Sequence, residues 1–242
     1  MATFVLVPGF WLGAWAWRDV TALLRAQGHD VHPMTLTGVA ERDHLATPAV
    51  GLNTHTTDIV RLIEVEDLRD VLLVGHSGGG MPVSQAADRI AERIARVVYV
   101  ESGPLPDGTA QFDTVPPQEQ QRQRAAIGSG HLLPPPPWDP AADPTNLAGL
   151  DEATLAVLRA RTTPHPLAAA TDPVRRTGGR PVPTALVAST FPLSVVRQMI
   201  REEHPFFTGL ADGQLHELPT GHWPMLSEPK ALTDVLDLIA RG

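Results

Sequence analysis

The most informative stretch of this 242-residue chain is the run Val71-Leu72-Leu73-Val74-Gly75-His76-Ser77-Gly78-Gly79-Gly80. An apolar segment of strand character leads into the pattern G-x-S-x-G, and an alanine-rich helical pattern over 82–90 follows at once. Gly75 and Gly79 have no Cβ, so a strand and a helix can approach closely there. We interpret the motif as a nucleophile elbow that holds Ser77 on a tight, strained turn. One alternative is an ordinary glycine-rich loop. A phosphate loop is the other, but such a loop carries G-K-[ST], which the chain lacks.

Composition limits the partners that this chain can have. The net charge is −8, and phosphate binding needs a basic surface, so we expect no nucleic-acid partner and no acidic membrane partner. The sequence has no cysteine, which excludes disulfides, thiolate metal sites and a cysteine nucleophile. Its first residues lack a basic leader and its apolar runs are shorter than a membrane span. We therefore expect a cytoplasmic protein; the oligomeric state stays open, with a homodimer as one alternative.

Outside the motif, apolar runs of strand length alternate with helical patterns about every 25 residues. Continuous apolar runs of this kind are typical of strands buried on both faces of a parallel sheet. Strands joined by helices indicate repeated βαβ units. We predict an α/β fold with a mostly parallel sheet of about six strands, near 4–7, 29–35, 71–76, 96–101, 183–188 and 214–218.

The alternation stops between residues 103 and 180. This segment is rich in proline, including the run Pro134-Pro135-Pro136-Pro137, and has one good helical pattern, over 151–161. It leaves from the carboxyl end of a strand, where ligands bind in α/β sheets. We predict a core formed by 1–102 and 181–242 and a cap formed by 103–180. A surface excursion or a linker is the alternative interpretation.

Of the ten histidines, His222 is the strongest candidate for the base that a serine nucleophile needs. A serine hydroxyl attacks at neutral pH when a histidine accepts its proton. His222 belongs to the run Thr220-Gly221-His222-Trp223-Pro224, a predicted loop after the last strand that can reach the elbow. We expect His76, inside the motif, to pack rather than to react.

Two places could supply the acid that orients this histidine. One is the loop after the next-to-last strand, which reads Ser189-Thr190-Phe191-Pro192; the carboxylates that follow it, Glu202 and Glu203, come at the far end of the next helix. The other is the end of the strand after the elbow, where Glu101 lies. We favour Glu101, with Asp107 as the reserve.

At this point the chain resembles the α/β-hydrolase superfamily. It is most similar to a compact, cofactor-independent group that includes plant methylesterases, hydroxynitrile lyases and small bacterial esterases. The resemblance covers most of 3–110 and 181–241, and rests on Phe4-Val5-Leu6-Val7-Pro8-Gly9-Phe10-Trp11-Leu12-Gly13-Ala14-Trp15, Leu36-Thr37-Gly38, the elbow and Gly221-His222. It implies an α/β-hydrolase fold, no metal, no cofactor, a Ser77–His222–Glu101 triad, and an oxyanion hole formed by the backbone N–H groups of Phe10 and Gly78.

Three residues or segments depart from the family pattern. Pro8 replaces the histidine that usually precedes this glycine. The loop at 189–192 lacks the aspartate that many members carry. Trp223 follows the candidate base where hydroxynitrile lyases carry a lysine, which argues against cyanohydrin cleavage.

We expect hydrolysis of a small apolar or aromatic ester or lactone through an acyl-enzyme. Cofactor-free oxygenation or a lyase reaction on the same fold is one alternative, and a ligand receptor with little turnover is another. Aromatic and aliphatic residues predict an apolar substrate pocket, with the candidates Trp11, Leu132, Leu133, Trp138 and Trp223.

Overall fold

The computed structural model of the chain, which describes residues 1–204 and 206–242, is built around one six-stranded parallel sheet. The elements are, in chain order, β1 (Thr3–Val7), α1 (Arg18–Ala26), β2 (Asp30–Pro33), α2 (Leu52–Val65), β3 (Val71–His76), α3 (Gly80–Arg89), β4 (Ile94–Val100), α4 (Pro117–Ile127), β5 (Leu132–Leu133), α5 (Glu152–Arg161), β6 (His165–Pro166), α6 (Leu167–Thr171), β7 (Thr184–Ala188), α7 (Leu193–Arg201), β8 (Gln214–Glu217), α8 (Pro224–Ser227) and α9 (Pro229–Ala240). The main sheet has the order β2-β1-β3-β4-β7-β8, and the small strands β5 and β6 pair antiparallel.

Successive residues of the central strands point to opposite faces of the sheet, and most of them are apolar. Helices therefore cover both faces. Phe4 and Leu6 of β1 pack with α1 and α9 on one face. Val5 and Val7 pack with α2, α3 and α7 on the other. Burial on both faces explains why these strands read as continuous apolar runs. The predicted α/β class with about six parallel strands is confirmed.

Element ends differ from the sequence predictions by a few residues. The second strand is predicted over 29–35 but spans Asp30–Pro33, where it pairs with β1 at the edge of the sheet. Pro33 has no N–H to donate to a ladder, which favours an end to the strand there. The last helix, α9, is preceded by the short helix α8, and Glu228 separates the two.

Between 103 and 180 the structure contains more regular elements than the single helix predicted there. The helix expected over 151–161 is present as α5, and Asp151 caps it by accepting the Thr154 N–H at 2.8 Å. The sequence prediction of one helix was wrong because α4 buries none of its eleven residues and so has no apolar stripe for a periodicity analysis to detect.

In the described part of the chain, no helix is both long enough and apolar enough to cross a membrane.

We expect α4 and its surroundings at 111–147 to be the least protected part of the fold. Residues that bury little apolar surface open locally at low free-energy cost. Hydrogen exchange followed by mass spectrometry should show amides of α4 exchanging well before those of β3, which is fully buried. Equal protection of the two segments would contradict this expectation.

Candidate active site

Ser77 lies at the sharp junction between β3 and α3. Its φ is 48°, a left-handed conformation that a residue with a side chain seldom adopts. Gly75 must be a glycine here, because a Cβ on it would lie 2.6 Å from the Cγ2 atom of Val83 and 2.9 Å from the carbonyl oxygen of Gly79. The hydroxyl of Ser102 donates to the Ser77 carbonyl at 2.7 Å and thereby holds the turn. This junction has the geometry expected of a nucleophile elbow.

His222 reaches Ser77 from the loop between β8 and α8. Its Nε2 atom lies 2.9 Å from the Ser77 Oγ atom. The backbone of His222 is held on both sides: its N–H donates to the Asn146 carbonyl at 2.7 Å, and its carbonyl lies 2.7 Å from His76 Nε2. Since a carbonyl can accept but not donate, His76 carries its hydrogen on Nε2. The position of the His222 loop is therefore set by His76, the residue next to Ser77, and by Asn146 of the 103–180 segment.

His76 packs in the interior, as the sequence analysis predicts. The side chain is almost fully buried. Burial, followed by the nearby His222, lowers the pKa of His76 to about 3. The ring is therefore neutral near pH 7 and acts as a hydrogen-bond donor to the His222 carbonyl, which is a structural role.

Glu101 lies against the other nitrogen of His222. One carboxylate oxygen, Oε2, is 3.2 Å from His222 Nδ1 and accepts the Thr190 hydroxyl at 2.6 Å. The other, Oε1, accepts the N–H groups of Ser189 and Thr190. Burial alone raises the pKa of Glu101, but the hydrogen bonds from His222, Thr190 and Ser189 outweigh it and leave that pKa below its ordinary value. Glu101 is therefore an anion near pH 7.

The rival acids lie elsewhere. Asp107 is exposed and accepts the Arg176 backbone N–H at 2.8 Å. Glu202 and Glu203 are exposed after the end of α7. Loop 189–192, the other place where an acid was sought, instead supplies the hydrogen-bond donors that stabilise the Glu101 carboxylate.

The predicted oxyanion residues, Phe10 and Gly78, lie in direct contact beside Ser77. A Cβ on Gly78 would come 2.3 Å from the Phe10 ring, so the ring packs against a position that tolerates no side chain. Gly78 belongs to the first turn after the strand, where backbone N–H groups lack acceptors within the helix. Among the hydrogen bonds of residues 1–204 and 206–242, none is donated by the Phe10 N–H. Within the described residues, the Phe10 N–H therefore has no protein acceptor and can bind a ligand oxygen.

Two cavities meet at Ser77 and His222. The larger, about 460 Å³, extends from Glu101 and has an apolar wall formed by Leu186, Val196, Met199, Phe206 and Phe207. The smaller, about 270 Å³, is lined by Phe10 and Gly78. Gln111 and Asn146 line both cavities.

Three of the five predicted pocket residues, Trp11, Leu133 and Trp223, line the smaller cavity. Neither of the two cavities at Ser77 is lined by Leu132 or Trp138. Leu132 pairs with Pro166 in the small sheet. Trp138 lines a neighbouring cavity of about 590 Å³, whose wall also includes Trp11, Leu133 and Trp223, and its ring lies 6.2 Å from that of Trp11 and 4.9 Å from that of Trp223.

Sequence reasoning missed the polar residues that complete the site. Gln111 and Asn146 belong to the 103–180 segment, where no motif marks them. Thr190 had a usable signal, because it lies in the loop where an acid was expected and not found. Across the described residues, no group of three or more His, Asp or Glu side chains is arranged to hold a metal ion.

The parallel sheet and the elbow define this chain as an α/β hydrolase. It belongs to the Alpha/beta hydrolase family, whose sequence model matches residues 4–235. Six strands flanked by helices, with Ser77 after the third, agree with that membership.

Several known proteins are similar to this chain over nearly its whole length. A Carbendazim hydrolyzing esterase from Nocardioides sp. (strain SG-4G) is 37% identical, covering 98% of both chains. Putative methylesterase 14, chloroplastic, from Arabidopsis thaliana is 26% identical over 98% of this chain and 72% of the relative. Among solved structures, an extracellular alpha/beta-hydrolase from a Paenibacillus species superposes with a TM-score of 0.82 at 21% identity, covering 100% of both chains. That last protein is described as sharing structural and functional homology with Tobacco Salicylic Acid Binding Protein 2.

Replacing the carboxylate that contacts His222 should slow the reaction while preserving the fold. Glu101→Gln cannot balance an imidazolium and can hold the wrong tautomer, so we expect kcat to fall by about 10⁴-fold, as for the equivalent change in a serine protease. Glu101→Asp keeps the charge and should lose less. Steady-state kinetics with a chromogenic ester, together with thermal unfolding, measures both effects.

The matched control is Asp107→Asn, an identical carboxylate-to-amide change at an exposed acid after the same strand. It should leave kcat near that of the parent protein. A Glu101→Gln variant with parental kcat would remove Glu101 from the proposed role.

Proposed function

We propose that this chain hydrolyses a carboxylic ester or lactone through an acyl-enzyme on Ser77. The observation that carries the proposal is the continuous hydrogen-bonded line from Ser77 Oγ through His222 to Glu101, with distances of 2.9 and 3.2 Å. A serine, a histidine and a buried carboxylate in this order are the three groups that acyl transfer needs.

In the first step His222 Nε2 accepts the Ser77 proton as Oγ attacks the ester carbonyl carbon. The electron pair of the carbonyl π bond moves to oxygen and forms a tetrahedral oxyanion. Glu101, an anion close to His222 Nδ1, stabilises the imidazolium that results. Collapse of the intermediate breaks the bond to the leaving oxygen, which takes the proton from His222.

The N–H groups of Phe10 and Gly78 are proposed to stabilise the oxyanion. They flank Ser77 in the smaller cavity and, being fixed backbone dipoles, need little reorganisation as charge develops. One such donor typically contributes about 100- to 1000-fold in rate.

In the second step water replaces the alcohol. His222 accepts a proton from the water as its oxygen attacks the acyl carbon, and a second tetrahedral intermediate forms. Its collapse returns the proton to Ser77 Oγ and releases the carboxylic acid. The enzyme is regenerated without any cofactor taking part in either step.

An ester with its carbonyl carbon at Ser77 would place one substituent in each cavity. The larger cavity has an apolar, partly aromatic wall, so we propose that it binds the bulkier apolar or aromatic group. The smaller cavity, lined by Trp11 and Trp223, would bind the other substituent. Burial of apolar surface in pockets of this size is the usual source of affinity for small ligands.

The esterase class has independent support. Relatives that align over nearly all of this chain are named esterases or methylesterases, so the chain is an ester-hydrolysing enzyme of the α/β-hydrolase class. The triad, the acyl-enzyme and the choice between ester and lactone are our proposals. Cytoplasmic location and the absence of a nucleic-acid partner stay predictions from composition.

Ser77→Ala should abolish esterase activity and leave the fold unchanged. We expect a loss of about 10⁶-fold in kcat, as in a serine protease that loses its nucleophile. The parent protein should gain one label from a fluorophosphonate and the variant should gain none, as intact-mass spectrometry can show. Circular dichroism and thermal unfolding check the fold.

Ser194→Ala serves as the control, because Ser194 is an exposed serine on α7. This control should keep full activity and full labelling. Oxygen uptake during turnover would favour the oxygenase alternative instead. Thermal stabilisation by a ligand with no product would favour the receptor.

A further inference from the structure

Trp11, the residue that follows the proposed oxyanion donor Phe10, has a strained backbone held by residues far away in sequence. Its φ is 67°, which is uncommon for a bulky residue and persists where surrounding contacts hold it. Trp11 donates its N–H to His165 Nδ1 at 3.3 Å and its indole N–H to the Leu133 carbonyl at 3.1 Å. Its carbonyl accepts the Thr163 N–H at 3.2 Å. All three partners belong to the 103–180 segment.

Two of these partners form a single cross-strand pair. Leu133 of β5 and His165 of β6 lie opposite each other in the small antiparallel sheet. A sheet of two short strands is marginal by itself. Here each strand also bonds to Trp11, so the small sheet and the Phe10–Trp11 loop stabilise each other.

His165 contacts the Phe10–Trp11 loop in a second way. Its ring centroid lies 4.4 Å from that of Phe10, while the Phe10 ring also packs against Gly78. His165, Phe10 and Gly78 therefore form a continuous stack. A shift of the His165 ring would move Phe10 relative to Gly78, and so would change the distance between the two proposed donors.

We infer that His165 is a positioning residue of the oxyanion hole, which it holds in shape by accepting the Trp11 N–H and packing on the Phe10 ring. The inference rests on the proposed function and deepens it: a residue outside the predicted core completes the site where negative charge develops. Such a residue touches neither the nucleophile nor the substrate, and acts through Phe10.

The protonation state of His165 suits this role. The Trp11 N–H can only donate, so Nδ1 must be unprotonated. Burial, and secondly the neighbouring His55, hold the pKa of His165 well below its ordinary value. The His55 ring lies 5.3 Å away, and its Nε2 bonds the Thr37 carbonyl at 2.9 Å. His165 is therefore neutral near pH 7, with its Nδ1 lone pair free for Trp11.

The test compares His165→Leu with His165→Asn. Leucine cannot accept the Trp11 N–H, whereas Asn carries Oδ1 on Cγ, as histidine carries Nδ1. We expect His165→Leu to lower kcat/KM by about 10- to 100-fold, a part of what a full oxyanion donor contributes. The loss should fall on kcat with little change in KM, since the affected interaction forms in the transition state. His165→Asn should restore most of the activity.

A trifluoromethyl ketone gives a second readout. As Ser77 Oγ adds to its carbonyl carbon, the hydroxyl proton passes to His222 Nε2, and the resulting hemiketal oxyanion mimics the transition state. For His165→Leu its inhibition constant should rise by the same factor as kcat/KM falls. The matched control is His131→Leu, a half-buried histidine in the same segment, which should change neither quantity.

The outcomes separate this inference from the proposed function. If the ketone does not inhibit the parent protein, or inhibits Ser77→Ala equally, both are overturned. If the parent protein behaves as proposed but His165→Leu keeps parental kcat/KM, or loses kcat without losing ketone affinity, the inference alone is overturned. Should His165→Leu fail to fold, His165→Phe removes the acceptor of the Trp11 N–H while keeping an aromatic ring against Phe10. Parental kcat and ketone affinity in that variant would overturn the inference as well.

Discussion

The hydrogen bond between His222 Nε2 and Ser77 Oγ is the interaction on which the rest of the site depends, and it joins residues 145 positions apart. A parallel sheet makes this contact available, because all its strands end at one edge. Ser77 follows β3, Glu101 follows β4, and the His222 loop follows β8. The contact then needs a fixed loop, and the two backbone groups of His222 are held by His76 and by the Asn146 carbonyl. His76, adjacent to Ser77, thus couples the position of the His222 loop to the junction between β3 and α3.

Hydrogen bonds to Glu101 explain how a carboxylate at the end of β4 can lie buried against His222. Loop 189–192 supplies two backbone N–H groups and a hydroxyl to Glu101. A buried carboxylate is costly unless such donors satisfy it, and here they also keep its pKa low. The 103–180 segment contributes similarly, because Asn146 and His165 bond to the loops that carry His222 and Phe10. In this account the segment is part of the catalytic scaffold in addition to being a wall of the pocket.

Much of the fold and the two strongest site candidates could be predicted from the sequence, for physical reasons. Strands buried on both faces appear as apolar runs, and the elbow needs glycine at Gly75, so both leave local signals. Features that depend on tertiary contacts leave no local signal in the sequence. Helix α4 has no apolar stripe, and the position of His165 becomes informative once its hydrogen bond to Trp11 is known. Trp138 shows a finer limit: an aromatic residue in a proline-rich segment can be predicted to line a cavity, but tertiary packing decides that it lines the cavity beside those at Ser77.

The most direct test of the central claim is rapid-quench mass spectrometry of the protein mixed with a p-nitrophenyl ester. Covalent catalysis divides the reaction into acylation and deacylation, and a good leaving group makes the second step limiting. The account predicts a burst of about one equivalent of p-nitrophenol per protein, with the acyl mass found on the peptide that contains Ser77. Steady release of product with an unmodified Ser77 peptide at every time point would contradict it.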